Sequence, residues 1–323
     1  MSVRRGQPRA SRRLIFRSAL GLAILLIVPV LLGEQSYRLH LATLCLLYVC
    51  LASAWNLLGG FTGQISFGHA ALFGLGAYTT AILWLRGFAP LSTMPLAGLI
   101  AAAFAILWGW PCLRLRGPYF AIATIGVGEA TRILMNNLEA TGGSSGLALP
   151  TPGTYSMLPH YYLALVLASM AVGLSVWVSR SRFGLGLLAI REDIEAAESL
   201  GVPTARYQLY ALALSSFLVG LGGSFYAQFI FYIVPEKVFG FDFSISMILM
   251  TIIGGLGTVA GPVIGATLFL LLEQFVLVRF SSLHLGSFGV LLIGLVLFEP
   301  RGLAGLFERF QAMMLGRSSR GAS

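Results

Sequence analysis

Residues 160–231 read HYYLALVLASMAVGLSVWVS (160–179), RSRFGLGLLAIREDIEAAESLGVPTAR (180–206) and YQLYALALSSFLVGLGGSFYAQFIF (207–231). The outer two stretches contain no Asp, Glu, Lys or Arg, while the middle one holds eight of the 33 charges in the chain. Each apolar stretch has the ~20 residues that cross a hydrocarbon core. Their apolar character is continuous rather than alternating, which predicts helices rather than barrel strands. A helix also satisfies its own backbone in lipid, where water cannot. The middle stretch cannot follow them into the bilayer. The pattern therefore predicts two membrane-crossing helices joined by a polar segment at the membrane surface.

Outward from this stretch the pattern repeats. Apolar runs fall near 14–32, 39–58, 65–85, 95–113, 118–138, 160–179, 207–231, 243–258, 261–279 and 284–299, which gives ten candidate spans. Over all 323 residues, 57% are hydrophobic and 10% charged. An average soluble domain has about 25% charged residues. One soluble core could not hide so much apolar surface, so soluble, fibrous and disordered classes are excluded. Nucleic acid is not expected as a partner either, despite a net charge of +9. The fold class expected is an all-α integral membrane protein, a polytopic bundle of about ten helices. Cys45, Cys50 and Cys112 sit in apolar runs and read as small core residues.

The basic residues orient this bundle. Twenty of the 21 are Arg; Lys237 is the only Lys. Six (Arg4, Arg5, Arg9, Arg12, Arg13, Arg17) precede or open the first run, which has no small-x-small cleavage site after it and reads as an uncleaved span. With a cytoplasmic N-terminus, the segments 1–13, 59–64, 114–117, 180–206, 259–260 and 300–323 face the cytoplasm. Counting Arg17 with the first, they carry 16 basic residues. The opposite side carries four: Arg38, Arg86, Lys237 and Arg279. That asymmetry follows the positive-inside rule. The organisation expected is a basic cytoplasmic tail (1–13), a transmembrane domain (14–299) and a second basic cytoplasmic tail (300–323). The 139–158 connection, with one acid and many Gly, Pro, Ser and Thr, is expected as a turn-rich extracytoplasmic loop.

Within 180–206, Leu187, Ile190, Ile194 and Ala197 recur at helical spacing, Arg191 and Glu195 stand at i,i+4, and Gly201 and Pro203 end the pattern. This predicts one surface helix over 187–200, apolar on one side. Helices that lie on lipid usually have basic polar faces. Here Glu192, Asp193, Glu195 and Glu198 outnumber Arg191. A solvated connector is one reading; a protein partner accounts better for an acidic face.

Two glycine clusters stand out: Gly59, Gly60, Gly63 and Gly68, and Gly254, Gly255, Gly257, Gly261 with Pro262. For Gly257, Gly261 and Gly265, four apart, close helix packing is the favoured reading. Broken or re-entrant helices whose ends face a cavity, and plain tight turns, both remain open for the two clusters. Polar residues at membrane depth are candidate pathway residues: Gln64, Ser66, His69, Glu129, Arg132, Ser216 and Gln228, with Ser215 and Ser224 beside them. His69 reads either as a substrate-facing donor or as an interhelical hydrogen-bonder. Glu129 and Arg132, three apart, read as a structural ion pair or as a gating or zwitterion-binding pair.

Several blocks resemble one known family. SRFGLGLLAIREDIEAAESLGV at 181–202 is similar to the cytoplasmic coupling loop of the branched-chain amino acid permease family of ABC importers, the LivM-type subunit. NLLGGFTGQISFGHAALFGLGAY (56–78), LRLRGPYFAIATIGVGEATRIL (113–134), TGGSSGL (141–147) and SISMILMTIIGGLGTVAGPVIGA (244–266) agree in the same order. The apolar residue before Leu-Pro of the general coupling-loop pattern is absent after Gly201. The resemblance implies a permease subunit in a prokaryotic inner membrane, for branched-chain or related amino acids. It implies a second permease subunit of similar fold, two cytoplasmic ATP-binding subunits and an extracytoplasmic solute-binding protein as partners. Residues 187–201 would then sit in a groove of the ATPase, with Ile190, Ile194 and Ala197 as anchors. Arg191, Glu192, Asp193 and Glu195 would fix register, and Gly201 would stop the helix. No G-x-x-x-x-G-K-[ST] loop occurs, so ATP hydrolysis is expected on partner chains, with no catalytic residue, metal or cofactor here.

Other classes compete. Urea and short-amide importers look similar to this family. A stand-alone secondary transporter or channel would need intramembrane carboxylates, for which Glu129 and Glu273 are the candidates. A membrane enzyme would need clustered His, Asp or Glu, whereas His40, His69, His160 and His284 are well separated.

Overall fold

The computed structural model describes residues 37–151 and 156–279, with residues 25–29, 31 and 33 before them. Eleven helices are described in this range. They are α1 (Tyr37–Thr62), α2 (His69–Leu85), α3 (Pro90–Cys112), α4 (Pro118–Asn137), α5 (Leu158–Arg180), α6 (Arg182–Glu192), α7 (Ile194–Ser199), α8 (Thr204–Ile230), α9 (Pro235–Val238), α10 (Phe241–Gly254) and α11 (Ala260–Arg279). Each of the eight apolar runs between residues 39 and 279 carries a helix. The run at 284–299, both basic tails, and the run at 14–32 apart from helical residues 25–29 and 31 lie outside the described residues. Among the described residues five stretches are long and apolar enough to cross a membrane: α1, α3, α5, α8 and Pro235–Gly254. α2 and Ala260–Gln274 are apolar but shorter. α4 has 20 residues, two of them charged, Glu129 and Arg132.

α1 and α8 form the centre. Trp55 on α1 and Phe225 on α8 are fully buried, and α8 packs against α1, α2 and α3. Glycine decides how closely. A Cβ on Gly76 would overlap the Gly220 carbonyl, and one on Gly223 the Phe73 carbonyl, so α2 and α8 meet backbone to backbone. Gly265 lies against the Met250 carbonyl and Gly261 against Gly254, which brings α10 and α11 equally close. In lipid this contact must supply the association that burial of apolar surface supplies in water. α4 is the outlier, burying only Phe120, Thr124 and Thr131 and exposing Ile122, Ile133 and Leu134.

Four connections gather at one end of the bundle: 62–64, 116–117, 190–195 and 255–258. The connections 86–89, 138–151 and 231–240 belong to the other end. There Leu147–Ala148 (β1) and Tyr232–Ile233 (β2) pair antiparallel, Leu147 opposite Ile233 and Ala148 opposite Tyr232. The all-α expectation did not include this two-residue bridge. Gly142 (φ +72) and Gly146 (φ +73) make the turns that lead into it.

The single helix expected over 187–200 is two. Asp193 adopts extended backbone (φ −159°, ψ 114°), and its Oδ1 accepts from Glu195 N at 2.8 Å and Ala196 N at 3.0 Å. A carboxylate placed there is a strong N-cap, so it starts α7 at the cost of continuing α6. The break also removes the expected Arg191–Glu195 pairing: Glu195 meets Arg116 instead, at 2.6 Å.

Gly223→Val is expected to lower stability by about 1–3 kcal/mol through overpacking, read as a lower midpoint in detergent unfolding. Gly173→Val, where a Cβ meets nothing within 4 Å, is expected to leave that midpoint unchanged.

Candidate functional site

The end where α1, α4, α6, α7 and the α10–α11 turn meet holds a cleft of about 400 Å³. Gly63, Gln64, Arg116, Gly117 and residues 190–195 line it. Its outer wall is the charged segment. Leu187, Ile190 and Ala197 are buried, Ile194 is half-buried, and Arg191 through Asp193 with Glu195 are exposed. The apolar positions read from spacing therefore face inward in both short helices. Gly201 (φ +83) ends α7: its N–H donates to Glu198 O at 2.9 Å and Val202 N–H to Ala197 O at 3.0 Å. A left-handed residue at this position is a common helix stop.

The charges have distinct partners. Arg116 and Glu195 are 59% and 76% exposed, so their ion pair contributes little stability. Glu198 accepts from the Thr204 hydroxyl at 2.6 Å. Glu192 has no hydrogen-bond or ion-pair partner among the described residues. Arg191 reaches back across the cleft. Its Nη1 donates to Gly60 O at 2.7 Å and, more weakly, to Leu256 O at 3.5 Å. Gly60 lies in the last turn of α1, where carbonyls lack an intrahelical donor and the helix dipole favours a cation.

Beside it, Asn56 binds the α10–α11 turn with both ends of its amide. Nδ2 donates to Thr258 O at 2.9 Å, and Oδ1 accepts from Gly257 N at 2.9 Å. Thr258 Oγ1 then accepts from Gly261 N at 3.0 Å near the start of α11. Gly257 has φ +73, and a Cβ there would overlap the Arg191 guanidinium. The glycine clusters thus lie at the ends of α1 and α10 and in the connections that follow, joined to each other by Asn56 and to α6 by Arg191. The amides at the start of α2 are occupied by protein: Ala70 N donates to Ser244 Oγ at 2.8 Å.

The membrane-depth polar residues separate into three places. His69 and Ser66 are fully buried. His69 Nε2 lies 2.9 Å from Ser215 Oγ, and Nδ1 3.0 Å from Ser66 Oγ. Ser215 donates its one proton to Ala54 O at 2.6 Å, so His69 Nε2 must donate to Ser215. A neutral imidazole then accepts at Nδ1 from Ser66, and every group is satisfied. His69 occupies a closed network joining α1, α2 and α8. Ser216 bonds within α8, to Leu212 O at 2.6 Å. Gln64 lies at the cleft, and its N–H donates to Thr62 Oγ1 at 3.3 Å.

Gln228 lies at the other end, in a second cleft of about 370 Å³ with Trp84, Pro90, Thr151, His160 and Phe231. Its Nε2 donates to Ser224 O at 3.2 Å. Arg132 binds Glu129 with two nitrogens, at 2.9 and 2.5 Å, and also Glu236 of α9. Residues 104 apart in sequence are thereby linked at the end opposite the charged cleft. Among the described residues no group of three His, Cys, Asp or Glu is arranged to hold a metal.

Sequence reasoning did not single out Asn56, Arg116, Glu236, Ser244 or Thr258. Asn56 was the most findable: a lone amide in a 26-residue apolar helix must find a partner.

Comparison with known proteins places the chain among relatives. Residues 37–298 match the family described as branched-chain amino acid transport system, permease component. The high-affinity branched-chain amino acid transport system permease protein LivM of Salmonella typhimurium is 30% identical, over 81% of this chain and 69% of that protein. LivH, the permease protein of the same description from the same organism, is 25% identical over 80% of this chain and 91% of its own. The autoinducer 2 import system permease protein LsrC of Yersinia pseudotuberculosis is 24% identical over 74% of this chain and 70% of its own. No solved structure matches.

His69→Phe leaves the Ser66 hydroxyl proton without its acceptor and removes the donor to Ser215, and it is expected to cost about 1–3 kcal/mol of stability. Membrane insertion should persist, with the loss read as an earlier thermal unfolding midpoint in detergent.

Proposed function

The chain belongs to the branched-chain amino acid transport system permease family, and from that premise we propose that it is one membrane half of an ATP-driven amino acid importer. The observation that carries the reading is the charged segment at 180–206 with its run of carboxylates at 192–198. It is anchored by buried Leu187, Ile190 and Ala197, and it presents Glu192, Asp193 and Glu195 at one end of an apolar bundle. That end is the cytoplasmic one, because Arg114, Arg116, Arg180, Arg182, Arg191 and Arg206 gather in its connections while Arg86 and Lys237 belong to the other.

The partners follow from what the chain lacks and what it presents. It has no phosphate-binding loop, so two cytoplasmic ATPases supply the energy. They dock against α6 and α7, where exposed Glu192 and the exposed Arg116–Glu195 pair offer charge-assisted contacts. A second permease completes the pathway. Likeness to both LivM and LivH supports a paired subunit of related fold. A solute-binding protein delivers substrate to the opposite end, where the Arg132 cluster and the aromatic cleft lie.

Branched-chain amino acids are the substrate class named in LivM and LivH. LsrC, named for autoinducer 2 import, shows that a related scaffold serves another solute. Leucine uptake into proteoliposomes, with and without ATP, decides between the two.

Glu195→Lys replaces an attraction with a repulsion towards Arg116 and any docked cation. The variant is expected to insert normally, since the exposed pair contributes about 1 kcal/mol or less, but to lose ATPase retention on co-purification and ATP-dependent leucine uptake. Retained ATPases with wild-type uptake would remove α7 from the docking surface.

A further inference from the structure

α6 is covalently joined to α5 through Ser181 and, past α7, to α8. α6 also packs directly on α1, and its connection to α7 lines the same cleft as Thr62 and Gly63. Arg191 adds a hydrogen-bonded link to both α1 and the turn after α10. One guanidinium nitrogen binds Gly60 O in the last turn of α1 and Leu256 O in the turn after α10. Asn56 locks the same two elements together through Gly257 N and Thr258 O, both at 2.9 Å. Three stretches, at 56–63, 191 and 255–258, are thereby knotted at one point.

The acceptors matter. Gly60 and Leu256 offer main-chain carbonyls, so the bonds follow the helix end and the turn themselves rather than a mobile side chain. The space is made for the arginine: a Cβ on Gly257 would overlap its guanidinium, and one on Gly63 would lie 3.3 Å from its Cγ. Both bonds leave from Nη1, whose N–H directions the planar guanidinium fixes, which a lysine ammonium on a flexible stem does less well.

We propose that Arg191 is a positioning residue, the joint through which displacement of α6 is carried to the ends of α1 and the α10–α11 hairpin. The inference rests on the importer reading and deepens it. Arg191 belongs to the bundle side of the segment, transmitting motion inward, while Glu192 and Glu195 face the motor. When an ATPase shifts α6, the α10–α11 turn moves with it as one body.

The test uses the full complex of permeases, ATPases and solute-binding protein in proteoliposomes. Arg191→Gln is expected to retain the ATPases and their hydrolysis while ATP-driven leucine uptake falls about tenfold or more, the scale of a lost charged hydrogen bond. Arg191→Lys should fall in between. Wild-type uptake by Arg191→Gln overturns the joint, and so does loss of the ATPases, which would make Arg191 a docking contact. The wild-type complex, run alongside, reports on the importer reading separately, because both of those outcomes appear only in the variant.

A second measurement leaves Arg191 in place. Spin labels are attached at Leu185→Cys on α6 and Ala260→Cys at the start of α11, both exposed, after the three native cysteines are replaced by alanine. Their separation should stay constant between nucleotide-free and ATP-bound complexes, while the distance from either to a label at Trp177→Cys on α5 changes. A Leu185–Ala260 separation that changes on ATP binding overturns the proposal.

Discussion

A peptide or side-chain polar group that finds no partner in hydrocarbon costs several kcal/mol, and no water is present to rescue it. This constraint shapes the bundle more than any single contact. It makes the runs helical, and it dictates what happens where helices stop. The non-helical residues before α2 are held from several sides: Trp55 Nε1 donates to Ser66 O at 2.8 Å, and Phe67 N donates to Thr124 Oγ1 at 3.0 Å. The His69–Ser66–Ser215 network and the Thr80–Ser224 contact at 2.5 Å answer the same demand between α1, α2 and α8. Polarity inside this chain is therefore mostly structural cement, and a buried hydroxyl or imidazole is weak evidence for a pathway.

The same constraint explains the glycines. Without water to drive apolar surfaces together, helices hold by close packing. Gly76 against Gly220 and Gly261 against Gly254 allow backbones to touch. At the two connections the glycines serve another purpose. Gly63 and Gly257 carry positive φ and leave room for Arg191. One residue type thus fixes both how tightly the helices pack and where a charged segment can grip their ends.

The two ends are built differently. The charged cleft joins α1, α6 and the α10–α11 turn through main-chain carbonyls, with surface carboxylates left outward. The other end uses a two-residue strand pair, the Arg132 cluster and an aromatic cleft around Phe231, a non-glycine residue at φ +59.

Much of this was written in the chain. Length and continuous apolarity set the helices between 39 and 279, because a bilayer fixes how many residues a span requires. Arginine distribution separated the connections into two groups that the structure gathers at opposite ends. The inward face of Leu187, Ile190 and Ala197 followed from spacing alone. Tertiary structure decided the rest, because it depends on partners distant in sequence. Asp193 broke the expected helix by capping its own successor, which sent Glu195 to Arg116 and freed Arg191 from its i,i+4 neighbour. Where Arg191 then went was set by Gly60 and Leu256, 131 and 65 residues away. His69 Nε2 meets a serine 146 residues on, a partner that only the fold supplies.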